Sequence, residues 1–459
     1  NGDLYIPNLD KSVQSFLKML EIGIDDVKLR LNYDESTSMI NAVDKNGKLV
    51  FSITKSGSLH IHDVVTQNGS VEKRLKSLEE NSASDTAVEI LKSTDYAIAT
   101  RDDEALLNSE LLFSLEELSS RYVFASSITR LSKKEFLVFC EARMGGDFGE
   151  TKIFMRKVTV NSDYSLSLGA LRIVADSGGV DVGAFSCINS CSLKVETGAH
   201  AGRIYLYYIK RFYNDDRDET YQIYSDDDGV TWSTPIDMSV FMPNFANWRI
   251  VAIGPGKAIQ LKKGTYAGRI ILPCWHGDLN YPASQAGLKS FVLYSDDGGD
   301  TYTVGAESIY IGSNECQVAE LADGGFALLT RDASQMKAIE YSFDGGLTLV
   351  DARKLSEITT TMVQSGFLQP QNKYDLSVPK LVVSTPSKGG VREDIGLWVS
   401  YDEKTFNLWK ILATGMASYS DLMPIDESHI LITYSAGRAD QNRDIKVVVV
   451  NLKSILLGA

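Results

Sequence analysis

The chain has 459 residues, 44% of them hydrophobic and 23% charged, with a formal net charge of −14. That length admits two to four ordinary domains, or one large β domain with an extension, in a composition ordinary for a globular protein. The acidic balance, with no long Lys/Arg run to offset it, argues against nucleic acid or an anionic membrane as the general partner; an anionic ligand would need a local cluster of arginines.

In chain order, residues 10–20 read as a short amphipathic helix, with Val13, Phe16, Leu17 and Leu20 at helical spacing. Strand-like runs follow at 49–53 and 59–64, set off by Asn46-Gly47 and Ser56-Gly57. Residues 72–118 are charged and Ser-rich, with helical periodicity around 87–91 and 106–118. Residues 1–115 therefore read as a small mixed α/β attachment or oligomerisation module. Asn1-Gly2-Asp3 does not begin a signal peptide and reads as a processed start.

From Tyr122 onward the pattern changes to short strands separated by turns. Three turns repeat one motif: Ser225-Asp-Asp-Asp-Gly-Val-Thr-Trp232, Ser295-Asp-Asp-Gly-Gly-Asp-Thr-Tyr302 and Ser342-Phe-Asp-Gly-Gly-Leu-Thr-Leu349. Each follows an apolar run. An Asp can accept hydrogen bonds from its own turn, and Gly supplies positive φ, so these Asp residues read as structural rather than catalytic or metal-binding. Ser400-Tyr-Asp-Glu-Lys-Thr-Phe406 is a degenerate copy and Ser162-Asp-Tyr-Ser165 a weaker one. A second repeat sets Gly198-Ala-His-Ala-Gly-Arg-Ile204 against Gly264-Thr-Tyr-Ala-Gly-Arg-Ile270. Recurrence at about 50–70 residues suits one four-stranded blade per repeat, and about 340 residues then make a six-bladed, all-β propeller. Residues 445–452 read as its closing strand, and the expected boundaries are 1–115 and 116–459.

Five cysteines (Cys140, Cys187, Cys191, Cys274, Cys316) are too scattered for a disulfide framework; Cys187 and Cys191 could pair, but buried thiols are the better reading. The histidines show no metal-ligand spacing, so neither metal nor cofactor is expected. No run reaches membrane-spanning length.

The repeated turns resemble the Asp boxes of sialidases (neuraminidases). The segments Trp248-Arg-Ile-Val-Ala-Ile-Gly-Pro-Gly-Lys257, Ala267-Gly-Arg-Ile-Ile-Leu-Pro273 and Asn314-Glu-Cys-Gln317 are similar to that family in order and spacing. The resemblance spans about residues 120–452 and leaves the first part uncovered. It implies a retaining glycosidase acting on α-linked sialic acid or a related nonulosonic acid. A carboxylate nucleophile would be repelled by the sugar's own carboxylate, and this family uses Tyr instead. By resemblance, Tyr419 in Ala417-Ser-Tyr-Ser-Asp421 is that nucleophile, Glu315 its base, and Asp147 in Gly145-Gly-Asp-Phe-Gly149 the acid/base. A plain turn aspartate between glycines is the rival reading for Asp147. Arg331 and Arg392 match two arginines of the family's carboxylate-binding triad, because guanidinium forks bind carboxylate bidentately. Arg143 matches an accessory arginine.

The first arginine is the departure. No Arg-Ile-Pro occurs, and in Arg121-Tyr-Val-Phe-Ala-Ser-Ser-Ile128 the aligned position lies nearer Val123 or Phe124 than Arg121. Either Arg121 reaches the site from a shifted frame, or two arginines hold the carboxylate. The readings left open are an exo-sialidase, an endo-acting polysialidase and a glycan-binding adhesin on a sialidase scaffold. The N-terminal region resembles attachment regions of phage tail proteins, which implies a homotrimer on a virion tail; a secreted enzyme is the other expectation.

Overall fold

A computed structural model describes residues 30–34, 39–43, 49–54, 59–61 and 106–452, apart from 146–148, 177–184, 213–217, 282–286, 371–377 and 439–440. The chain divides into two compact units, the larger made of 106–371 and 379–452. The expected helices at 10–20 and 87–91 lie outside the described residues. In the first unit, strands Arg30–Asp34, Met39–Val43, Leu49–Thr54 and Leu59–Ile61 pair consecutively as an antiparallel meander.

The larger unit repeats one plan six times: a four-stranded antiparallel meander whose first strand faces inward. The first blade is built on Tyr122–Arg130, Glu135–Arg143 and Thr151–Val160, and the second on Phe185–Lys194, Ile204–Phe212 and Glu219–Ser225. The third has Trp248–Ile253, Ile270–Asp278, Lys289–Ser295 and Thr303–Glu307; the fourth has Ser313–Glu320, Phe326–Asp332, Lys337–Ser342 and Val350–Leu355. The fifth has Gly366–Leu368, Leu381–Pro386 and Glu393–Ser400. The long strand Asn407–Pro424 ends that blade and opens the sixth, which continues through His429–Arg438 and Gln441–Asn451.

Strand alternation explains how the blades pack. In Ile204–Phe212, the side chains of Ile204, Leu206 and Tyr208 join Leu137 and Phe139 of the first blade. Tyr205 and Tyr207 point the other way, to Leu272 and Phe291 of the third. Such a strand is apolar on both faces, so it reads as a continuous hydrophobic run, and each fully buried Val, Leu or Ile contributes about 1.5–3 kcal/mol. Val447 to Val450 is the same case in the last blade, where all four are buried.

Two expectations are corrected here. Residues 106–114 are a strand, not helix: Leu106–Ser114 pairs with Gln441–Asn451 and forms the outer edge of the sixth blade. Leu112 and Phe113 are buried there, and Arg156 donates to Leu112 O at 2.6 Å with its guanidinium over the Phe113 ring. Leucine spacing permits either state, and the distant partner strand decides. Closure thus needs this strand as well as residues 445–452, and the larger unit begins at Leu106 rather than 116. The helical pattern survives only as the turn Leu115–Leu118, capped by Ser114.

The repeated turns are structural, as their chemistry implies. Asp227 Oδ1 accepts Ser225 Oγ and Thr231 N, both at 2.8 Å, and Oδ2 accepts Thr231 Oγ1 at 2.6 Å. Asp297 and Asp344 repeat these bonds, and Asp402 in the degenerate turn accepts Ser400 Oγ at 2.9 Å and Thr405 N at 2.6 Å. The Thr231 hydroxyl and amide hold the Asp227 carboxyl down at about 2. Gly229, Gly299 and Gly346 sit at φ of 84°, 101° and 96°, which only glycine adopts at little cost. The second repeat serves the same turns: Arg203 grips Asp226 at 2.8 and 2.9 Å, and Arg269 grips Asp296 at 2.7 Å through both nitrogens. The third turn carries Phe343 at that position, stacked on Tyr341 instead.

Buried polar side chains join the inner strands. Lys257 Nζ donates to Asp421 Oδ1 at 3.1 Å and Phe367 O at 2.6 Å, and Ile128 N donates to Asp421 Oδ2 at 2.9 Å. Gln364 reaches Ser420 O at 3.0 Å. All five cysteines are buried free thiols.

Candidate active site

The turn motifs occupy the end of the second to fifth blades where the third strand finishes. The opposite end, where the inner strands begin, holds Glu315 and Tyr419. Five of the six inner strands lose register there: between Phe124 and Ser127, Ile188 and Cys191, Trp248 and Ile250, Ser313 and Cys316, and Ala417 and Ser420. Such bulges re-aim side chains off the alternating pattern. Glu315 and Tyr419 both lie inside one.

The bulges bring fourth and sixth blades together. Tyr419 Oη donates to Glu315 Oε1 at 2.8 Å; Arg331 Nη1 donates to Glu315 Oε2 at 2.5 Å and to Tyr419 Oη at 3.2 Å. Burial, and then the Glu315 charge, push the Tyr419 phenol up to about 12, so it is protonated at neutral pH. Burial works against the Arg331 charge, but Glu315 and Tyr419 more than offset this and hold its proton more firmly than usual. Arg331 Nε is buried without a partner among the described residues.

Arg392 comes from the loop before the strand Glu393–Ser400. Its guanidinium makes two long bonds to neutral groups, Ser418 Oγ at 3.3 Å and Met362 O at 3.4 Å, and lies 5.4 Å from the Tyr419 ring centroid. An arginine so lightly held can turn to an incoming anion.

The first blade contributes differently. Arg143 Nε donates to Glu141 Oε2 at 2.8 Å, and its guanidinium sits 4.5 Å over the Phe124 ring. Phe124 in turn meets Tyr419 edge-on at 6.1 Å. Phe124 therefore stands beside the tyrosine, while Arg121 has an exposed side chain and is not brought into the group. Asp147 lies outside the described residues.

Three further residues were not legible beforehand. Glu141 is fully buried and also accepts the backbone N–H of Asn189 at 2.6 Å. Asn189 holds a left-handed φ of 61°, uncommon for a residue other than glycine. Lys337 is a fully buried lysine opposite Arg331. The Glu141-x-Arg143 spacing, which puts both on one strand face, was the available signal for Glu141; Asn189 and Lys337 left none.

A family model described as a BNR repeat-like domain matches residues 169–432. The chain belongs to that family. Its curated relatives place this BNR-repeat chain in the sialidase superfamily. The anhydrosialidase of Macrobdella decora is 31% identical over 201 residues, 43% of this chain and 24% of that protein. The sialidase of Micromonospora viridifaciens is 26% identical over 224 residues, 46% of this chain and 33% of that one. Sialidase-2 of Mus musculus is 26% identical over 213 residues, covering 43% and 55%. The matched segments thus span between a quarter and about half the length of these relatives. Among solved structures, the leech intramolecular trans-sialidase complexed with 2,7-anhydro-Neu5Ac has a TM-score of 0.61 at 16% identity, covering 93% of this chain and 83% of that one. The Hadza microbial sialidase Hz136 has a TM-score of 0.64 at 19% identity, covering 75% and 69%. At such identities they support the propeller fold alone.

Proposed function

We propose that this protein is a retaining glycoside hydrolase that removes α-linked sialic acid, or a related nonulosonic acid, from glycans through a tyrosine nucleophile. The Tyr419–Glu315 hydrogen bond of 2.8 Å, braced by Arg331, carries the reading. A phenol held near 12 cannot attack as a standing phenolate, so its proton must leave during the attack, and we assign Glu315 Oε1, which accepts the Tyr419 hydrogen bond, to take it. As Tyr419 Oη bonds to the anomeric carbon, the bond to the aglycone oxygen breaks and that oxygen takes a proton from Asp147. Water then attacks the same carbon, giving a proton to Asp147, and Tyr419 leaves with the proton held on Glu315. Two displacements at one carbon retain configuration. Arg331 and Arg392 bind the sugar carboxylate, Arg143 borders the ring, and Arg121 remains outside this arrangement.

Hydrolysis of a fluorogenic aryl sialoside tests the reading. Turnover by the parent and its loss in Tyr419→Phe are expected. Binding of sialylated glycans without turnover of any nonulosonic acid substrate would favour the adhesin; activity on polysialic acid but not on the aryl monosaccharide would favour endo action. The anhydrosialidase match supports one second reading, intramolecular transfer, whose sugar product is lighter by one water in mass spectrometry. The N-terminal unit we assign to attachment or trimerisation, outside the cell or on a virion tail; sedimentation of the full chain checks the trimer.

A further inference from the structure

Lys337 opens the third strand of the fourth blade, in register with Arg331. Its side chain is fully buried, and its Nζ donates to the carbonyl of Val363. Val363 follows Met362, whose carbonyl accepts from Arg392 Nη2 at 3.4 Å. One lysine therefore touches the backbone on which Arg392 rests while lying beside Arg331.

The charges facing it come from every neighbouring element. The adjacent strand brings Arg331 and Asp332, the inner strand Glu315, and the loop of the next blade Arg392. On the far strand, Lys354 is bonded to Asp332 at 2.9 Å and Arg353 to Glu357 at 3.0 Å. On its own strand, buried Glu340 accepts Ile309 N at 3.1 Å. Residues 359–364 of the next blade are all uncharged. Arg331 is matched by Glu315 and Asp332 by Lys354, so among the described residues Lys337 and Arg392 are left without a carboxylate of their own. A lone buried ammonium costs stability and is expected only where something else requires it.

We propose that Lys337 is a positioning cation for the acid-binding side of the site, holding the Met362–Val363 backbone under Arg392 and supplying positive charge behind Arg331. The inference rests on the sialoside reading above and deepens it: the substrate must bring a carboxylate to a pocket whose matched ion pairs leave a net positive charge. It also explains how the site tolerates Phe124 where a third arginine is expected, since a cation acting through a poorly screened interior replaces part of the missing field. Burial, together with the Arg331 charge, draws the Lys337 proton affinity down to about 7. The added charge is therefore present below neutrality and disappears as pH rises through that value.

Steady-state kinetics on an aryl sialoside between pH 5.5 and 8.5 test this with Lys337→Met and Lys337→Gln. The glutamine keeps a donor for Val363 O without the charge. In the parent, KM should rise across neutrality; in both variants it should start about tenfold higher at acidic pH, the size of one charge-assisted contact, and stay flat, with kcat little changed. Parent turnover with variants that keep its KM–pH profile overturns the inference alone. A parent that turns over no sialoside overturns the sialoside reading and the role in acid binding together. Thermal melting needs no substrate and decides the buried charge separately. Lys337→Met should melt higher than the parent at pH 6, with the gap closing towards pH 9; a lower melting point at pH 6 makes Lys337 a structural strut and overturns the inference.

Discussion

The two ends of the same six blades solve opposite problems. At the turn end, the third-position aspartate of each motif is satisfied by its own loop, as Asp227 is by Ser225 and Thr231. At the other end, Tyr419, Glu315 and Arg331 hold one another across two blades, and among the described residues Arg331 Nε has no partner and Arg392 makes only long bonds. Local satisfaction makes a rigid, repeatable turn. Convergence with polar capacity left over makes a place where a ligand completes the hydrogen bonding.

The contrast breaks first at the reaction. Tyr419→Phe removes the nucleophile and Glu315→Gln its base, so kcat on an aryl sialoside should fall by about 10²–10⁴-fold or more in each. The melting temperature should barely move in Tyr419→Phe, because only one hydroxyl is lost. Retained kcat in either variant would remove that residue from the mechanism.

Next in size is the axis that both ends share. Lys257 and Asp421 are buried together, so Lys257→Met alone strands a carboxylate and should cost about 3–5 kcal/mol in a denaturant melt. The double variant Lys257→Met, Asp421→Leu should recover most of that loss. An equally unstable double variant would mean that Asp421 matters through its bonds to Ile128 and Leu422 rather than through the lysine.

A smaller effect separates binding from chemistry. Arg392→Ala should weaken the hold on a carboxylate by about 1.5–3 kcal/mol, read as a rise in KM of about 10–150-fold. A drop confined to kcat would place Arg392 on the leaving group rather than the acid.

The same contrast decides how much the sequence reveals. The Ser-x-Asp-x-Gly-x-Thr turns are legible because all their partners lie within a few residues, and the Gly-Arg-Ile repeat accompanies the two turns that carry an extra Asp for its arginine. Leu106–Ser114 is not legible, because its state is set by Gln441–Asn451 at the other end of the domain. Tyr419, Glu315, Arg331 and Arg392 could be found by resemblance, since each sits in a segment of characteristic order. Phe124 was one of two aligned positions, but its place between Tyr419 and Arg143 depends on a bulge that no spacing rule announces. Lys337 looks like the polar start of an edge strand, and only the packing of the next blade buries it.

The smallest effect belongs at the turn end. Asp344→Asn keeps an acceptor for the amides of Leu347 and Thr348 but replaces the oxygen that takes the Thr348 hydroxyl proton at 2.6 Å. The turn is exposed and lies at the opposite end from Tyr419, so kcat/KM should be unchanged while the melting temperature falls by a few degrees. Burial alone would raise the Asp344 carboxyl, but the Thr348 hydroxyl and amide outweigh it and hold it below the ordinary value. A carboxyl with a lowered folded value stabilises above its unfolded value, near 3.9, and loses that contribution as pH falls through the folded one. The gap between parent and Asp344→Asn should therefore be full at pH 6 and close as the solution is acidified below pH 4. A gap that persists at low pH would trace the loss to shape rather than charge, and a fall in kcat/KM would mean that the two ends of the blade are not independent.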